Sequence, residues 1–167
     1  MKTKASIVLI VIFCCFTSAL FSQRNKNLCK SNEQTLFAFQ LKNKKWVSIC
    51  MEKNEKYIVY RFGLPNKIEL QYPTVLDETS WQQFTFRGYE RGGGKQNAAM
   101  NFAFLDFTNN GIDYEVYEEW SSEDNKEHCG VSTATASGKT TDMPGVLKTR
   151  QRYLLGLKNN TKIKMAE

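Results

Sequence analysis

The 167-residue sequence has a single histidine, His128, and that scarcity removes much chemistry at the outset. Its neighbour Cys129 cannot work with it on a strand, where adjacent side chains point to opposite faces. No metal-ligand spacing is spelled out either, because Cys29, Cys50 and Cys129 lie 21 and 79 residues apart. No basic block is present. Lysines and arginines are spread over turns and both termini, so the net charge of +6 argues solubility and no nucleic-acid partner. There is no internal repeat, no low-complexity linker and no alternation of strand with helix. One domain is expected, without a nucleotide cofactor or a metal. No apolar run reaches the roughly 20 residues of a membrane-spanning helix.

The longest apolar run lies at the start. Lys2 and Lys4 precede Ala5–Phe16, and TSALFSQ follows. A short positive region, an apolar core of about a dozen residues and small residues behind it form the pattern of a secretory leader. Residues 1–22 are read as a signal peptide cleaved after Ser22, with Ala19 the second choice, and residues 23–167 as one domain. The residues before Cys14 and Cys15 are not the small ones that lipid attachment uses, which argues against an acyl anchor. The mature protein is then periplasmic or secreted, with no integral membrane segment after cleavage. The leader holds two of the 23 basic residues and none of the 17 acidic ones, which leaves +4. Export keeps the remaining three cysteines where disulfides persist. Three is odd, so at most one internal bridge forms and one thiol is left over.

What the chain has in quantity is short β-prone segments. TLFAFQL (Thr35–Leu41), WVSICME (Trp46–Glu52), YIVYRFG (Tyr57–Gly63) and KIELQYP (Lys67–Pro73) are separated by the polar turns KNKK, KNEK and LPN. WQQFTFRGY, AMNFAFLDF, IDYEVYEEW and CGVSTATAS continue the series. The Asn-Gly of TNNG supplies the positive φ angles of a tight hairpin. Short strands at about ten-residue spacing predict an all-β fold, a single antiparallel β-barrel or β-sandwich of about eight strands. VLKTRQRYLLGLK fits a short C-terminal helix or a last strand, and NNTKIKMAE is expected to fray.

The order CKSNEQTLFAFQLKNKKWVSIC, YIVYRFGLPNKIELQYP, FTFRGYERGGG, NNGIDYEVYEEW and GVSTATASGK resembles a widespread group of small exported bacterial proteins of unassigned function. Members of that group carry a leading Cys, LFSC, VC, YxFG, a Gly-rich segment before a strand, NGxYxYxVY and a late Cys. The resemblance covers nearly the whole mature chain and implies an envelope β protein. Phe39 stands where LFSC would place a cysteine, and the late cysteine near Pro144 is missing. If those two form a pair in the group, their joint absence implies a Cys29–Cys50 bridge here, with Cys129 the odd thiol.

Three features could carry function. In YERGGGKQN the Walker pattern fails, because Gln96 follows Lys95 where a Ser or Thr is needed, and no glycine occupies the required upstream position. Gly92, Gly93 and Gly94 are read as a bulge or sharp bend between strands. The rival reading is a binding loop, in which backbone N–H groups, Arg91 and Lys95 meet an anionic or carbonyl-rich partner. Second, Ile112, Tyr114, Val116, Glu118 and Trp120 share one strand face, so Glu118 is an acid in an apolar row. It fits the wet rim of the core, a pair with Arg61 or Arg87, or a ligand-facing carboxylate. Asp106 falls opposite Asp113 or Glu115 across the hairpin, where like charges repel; calcium or solvent would relieve this. Third, Trp46, Trp81, Tyr89 and Trp120 could form a sugar-stacking platform, although strand aromatics usually fill the core.

The function expected is non-catalytic binding, to an envelope or extracellular protein or to a glycan, by a monomer or weak dimer. An inhibitor of lysozyme or another cell-wall hydrolase is its most concrete form, by analogy of size and fold. ASGKTT has the Ser-Gly of inhibitor loops, without a tyrosine close behind. The alternatives are a glycan hydrolase using two of Glu118, Glu119, Asp113 and Asp106, and a structural envelope component.

Overall fold

A computed structural model describes residues 27–166, so the leader expected at residues 1–22 lies outside the described residues. Ten strands form one sheet: β1 Glu33–Leu41, β2 Trp46–Glu52, β3 Ile58–Leu64, β4 Lys67–Tyr72, β5 Thr85–Arg91, β6 Met100–Asn109, β7 Ile112–Ser121, β8 Lys126–Thr135, β9 Thr140–Gln151 and β10 Lys164–Met165. Their order is β10-β5-β6-β7-β8-β9-β1-β2-β3-β4. β10 runs parallel to β5, and every other pair is antiparallel. The fold is therefore two meanders, β1–β4 and β5–β9, joined through one long strand. β9 pairs with β8 through Thr140–Pro144 and with β1 through Gly145–Gln151.

The all-β expectation holds in class and is corrected in detail. The described residues form ten strands rather than about eight, in one curled sheet, a half-barrel with edges at β4 and β10 that the barrel expectation matches roughly. The chain from Val146 on divides: β9 runs to Gln151, and a 3-10 segment, Leu154–Asn159, stands where a short helix was one option. Trp81–Gln83 are not strand. They lie in another 3-10 segment, Glu78–Gln83, whose start is fixed by the Asp77 side chain accepting from the Thr79 N–H. The hairpin at Asn110-Gly111 has φ angles of +51° and +73°, as the dipeptide predicts.

Curling brings β3 and β4 over β6 and β7, and the contact is aromatic. Phe107 stacks on Tyr114 at 4.8 Å and on Tyr72 at 4.5 Å between ring centroids, and Tyr60 sits 4.9 Å away. The enclosed core takes Phe37 and Phe39 from β1, Val47, Ile49 and Met51 from β2, and Leu105, Val116 and Val131 from the second meander. Trp81 and Leu154 close it from the 3-10 segments. In β1–β3 the outer face is buried as well. Every residue of β2 is buried, and Leu28 packs on Ala38 and Trp46 outside the sheet.

Candidate functional site

The outer face of β1–β3 carries a buried ion pair. Arg61 lies across from Ser48 on β2. Its guanidinium donates to both oxygens of Glu33 at 2.6 and 2.8 Å, and both side chains are fully buried. The Glu33 carboxylate also accepts from the Lys30 N–H and the Tyr57 hydroxyl. Burial alone would push the Glu33 carboxyl up, but Arg61 and the added donors outweigh it and hold the group below the usual carboxylate range. The Cys29–Cys50 disulfide ties the covering segment down beside this pair, as the resemblance implies, and Cys129 is the free, buried thiol. Burial pushes the Cys129 thiol up to about 11, which keeps it protonated and unreactive. The cysteines and Glu33 form one tight group of ligand-type atoms, but the sulfurs are bonded to each other and the carboxylate is held by Arg61.

Glu118 shares the core face of β7, as the alternation predicts, but its partner is neither Arg61 nor Arg87. One oxygen accepts from Arg150 at 3.1 Å and the other from the Leu154 and Leu155 N–H groups at 2.7 and 3.4 Å. Glu118 thereby fastens the start of the C-terminal 3-10 segment to the sheet. Burial raises its pKa, against the opposing pull of the Leu154 N–H and of Arg150. The carboxylate is buried and does not share a surface with the glycine loop.

The loop Gly92–Ala99 joins β5 to β6. Arg91 donates from Nε and Nη2 to the Ala98 carbonyl at 3.2 and 3.0 Å, and Gly94 N–H donates to Asn97 O. Gly92, Gly93, Gly94 and Lys95 are exposed. The reading that these glycines leave no room for a side chain is corrected at Gly92 and Gly94 and holds only as a tight approach at Gly93. None has positive φ, and a Cβ on Gly92 or Gly94 would meet nothing within 4 Å, while one on Gly93 would come to 3.3 Å from Ala99. Glycines that do need to be glycine lie elsewhere: Gly63 at φ +142° would drive a Cβ into the Lys67 carbonyl.

The outer face of β5–β9 is built by register. Arg87, Phe104, Tyr117, Gly130 and Pro144 form one row, and Tyr89, Phe102, Glu119 and His128 the next. A third row is Thr85, Asp106, Glu115, Ser132 and Asp142. Tyr89 stacks on Phe102 at 5.2 Å, Phe102 touches Phe104 at 5.6 Å, and the Arg87 guanidinium lies 4.5 Å over Phe104. Tyr117 lies flat over Gly130, where any Cβ would collide with its ring, and its hydroxyl donates to Asp142 at 3.0 Å. These aromatics are half-buried, with Tyr89 at 42% exposure. The opposed acids are Asp106 and Glu115, and Arg87 bridges them at 2.9 and 2.6 Å. That is the relief their repulsion needs, without an ion. Asp113 accepts from the Thr108 hydroxyl instead.

Of the proposed stacking platform, Trp46 and Trp81 are buried, and Trp120 sits on the core-facing side of β7. Only Tyr89 belongs to the outer face. Phe102, Phe104 and Tyr117 were missed as surface residues, yet the signal was in the text. They alternate with Ala103, Leu105 and Val116, which are buried. His128 is exposed and Cys129 is buried, on opposite faces as expected.

Compared with family models, with curated proteins and with solved structures, the chain matches none.

Proposed function

We propose that the mature chain is a non-catalytic binding protein of the envelope or extracellular space, and that the outer face of β5–β9 is its binding face. The observation behind this is the pair of aromatic rows, Tyr89–Phe102 and Phe104–Tyr117, held open to solvent on a rigid sheet and fixed from beneath by Gly130 and from the side by Arg87. Aromatic and arginine side chains are what interfaces use as anchors. Asp106, Asp113, Glu115, Glu119 and Asp142 gather on this face, although the chain as a whole is basic. A basic protein partner complements it. Hydrolases that act on anionic cell-wall polymers need a basic surface, so a lysozyme-type enzyme is the partner class. Arg91 and Lys95 sit at the rim, since Arg91 pairs with Met100 one step beyond the Tyr89–Phe102 row. The hydrolase alternative is not favoured: Glu118 has its oxygens occupied, and Asp106 and Glu115 share one arginine.

The test is residues 23–167 titrated into a lysozyme assay on a cell-wall suspension, with binding followed by calorimetry at two salt concentrations. Saturable inhibition is expected, weaker at high salt and at least about tenfold weaker for Tyr89→Ala or Phe102→Ala, each worth more than about 1.4 kcal/mol. Absence of any complex sinks the hydrolase partner. A complex that ignores both substitutions sinks the face.

A further inference from the structure

A half-barrel that does not close leaves its inner surface unfilled at one end. That end is the mouth between β3–β4 on one side and the β6–β7 hairpin with β8 and β9 on the other. The cleft there measures about 520 Å³, inside the range typical of small-molecule sites. Phe62 and Leu70 on one side and Ile112 and Met143 on the other give it apolar wall, and Asn109, Asn110, Thr133 and Thr135 line it as well. Tyr60 and Tyr114, with centroids 6.2 Å apart, form the floor.

Tyr60 gives the cleft its chemistry. The residue is 1% exposed, and among the described residues no hydrogen bond satisfies its hydroxyl. Every fully enclosed side-chain nitrogen or oxygen in the described residues does have a partner. The Tyr60 hydroxyl therefore meets the cleft, at the bottom of an apolar wall. A ligand oxygen in the cleft that accepts from this hydroxyl gains a hydrogen bond shielded from bulk water. Burial, together with the nearby Tyr114, pushes the Tyr60 phenol well above its ordinary range. It is a neutral donor, not a phenolate. The charged group lining the cleft is Glu69, and Lys45 already neutralises it at 2.7 Å. Among the described residues no cation lines the wall to hold a carboxylate or phosphate.

We propose that this cleft is a small-ligand site, distinct from the outer face, for a neutral apolar molecule whose carbonyl or ether oxygen accepts a hydrogen bond from Tyr60. An anionic headgroup would meet Glu69 and no cation among the described residues that line the cleft.

The probe is prodan, a neutral naphthalene bearing a ketone, whose emission moves to the blue in apolar surroundings. It is titrated into residues 23–167 of the wild type and of two variants. The wild type is expected to bind one equivalent with a blue shift. Tyr60→Phe keeps the ring, removes only the hydroxyl and should weaken binding about five- to tenfold, the share of one neutral hydrogen bond. Met143→Trp fills the cleft and should abolish the shift, with a thermal melt confirming the fold. Tyr89→Ala on the outer face should bind prodan as the wild type does, which separates this site from the proposed partner face. Laurate, the anionic competitor, should fail to displace prodan. No saturable shift in the wild type, affinity unchanged by Tyr60→Phe, or loss of binding in Tyr89→Ala would each overturn the proposal.

Discussion

The two meanders use the same alternation and finish with different outer faces. In β1–β3 the outer row Ala38, Ser48 and Arg61 lies under the segment that holds Leu28 and Cys29, and it is dry. In β5–β8 the outer rows of aromatics and acids remain wet. An arginine sits in each. Arg61 is fully buried with Glu33, while Arg87 is 42% exposed between Asp106 and Glu115. The same chemical pairing is thus a structural clamp in one half and a solvated surface pair in the other. What decides is whether water can replace the partner. In a dry site, removal of one ion strands the other. In a wet site, solvent takes over and the pair is worth about 1 kcal/mol or less.

The largest effect should come from breaking the dry pair. Arg61→Ala is expected to cost about 3–5 kcal/mol, because Glu33 is left charged and buried. Arg87→Ala should cost about 1 kcal/mol at most. Replacing both members of the dry pair, Glu33→Leu with Arg61→Met, should recover most of the loss. Urea denaturation of the three variants measures this. Equal losses at Arg61 and Arg87 would erase the distinction between the halves.

Next comes the covering segment itself. The Cys29–Cys50 bridge closes a loop with a sequence separation of 21. In the chain-entropy model such a bridge contributes about 3 kcal/mol. Cys29→Ala with Cys50→Ala should lower the melting point accordingly. It should also raise hydrogen exchange at the Leu28 N–H, which donates to the Ser48 hydroxyl, while β5–β8 amides stay unchanged. Peptide mapping without reductant checks the pairing directly.

A smaller contrast separates the two buried carboxylates by pH. Glu33 is held below the usual carboxylate range, so the stability it contributes is present above its unfolded-state pKa and is lost on acidification through the folded one. Glu118 is shifted the other way, chiefly by burial. Its contribution is fully present below the unfolded-state pKa and is lost as pH rises through the raised folded value. The wild type should therefore lose ground to Glu118→Gln as pH rises from about 4 to 7, because glutamine can still accept from Leu154 N–H without a charge. Urea midpoints across that window decide it. A gap that widens in the opposite direction would mean that Arg150 outweighs burial.

Much of the sheet was legible because its signals are local. Trp46–Glu52 is a strand with the bounds read from its composition, and Asn110-Gly111 turns where the dipeptide demands. The face of Glu118 follows from period-two alternation alone. Its partner does not, since Arg150 lies 32 residues on and arrives only when β9 crosses from β8 to β1. Glu33 and Arg61 are 28 residues apart, and nothing in either neighbourhood announces burial of a charge. That the barrel is only half made was not legible either, for a related reason. Ten strands could complete a barrel, but β10 is two residues long and pairs only with β5, so no ladder joins the free edges. The glycine run misled by composition, since three glycines in a row look demanded, while isolated Gly63 at a register shift has a backbone reason, as Gly111 has in its turn.

The smallest effects should lie in that run, and their sign is informative. A glycine whose conformation suits any residue adds only entropy to the unfolded chain. Gly94→Ala should then stabilise slightly, by about 0.5 kcal/mol, because it restricts the unfolded state without a clash. Lys95→Ala should stay within about 0.5 kcal/mol of the wild type. Arg91→Ala loses both bonds to the Ala98 carbonyl, yet in an exposed loop water replaces them, so a loss of about 0.5–1 kcal/mol is expected. Thermal melts rank the three. Should Gly94→Ala leave stability unchanged or raised while weakening lysozyme binding, the loop belongs to the partner surface together with the Tyr89–Phe102 row. If neither changes, the wet half binds through its sheet face alone, and the loop only closes the hairpin.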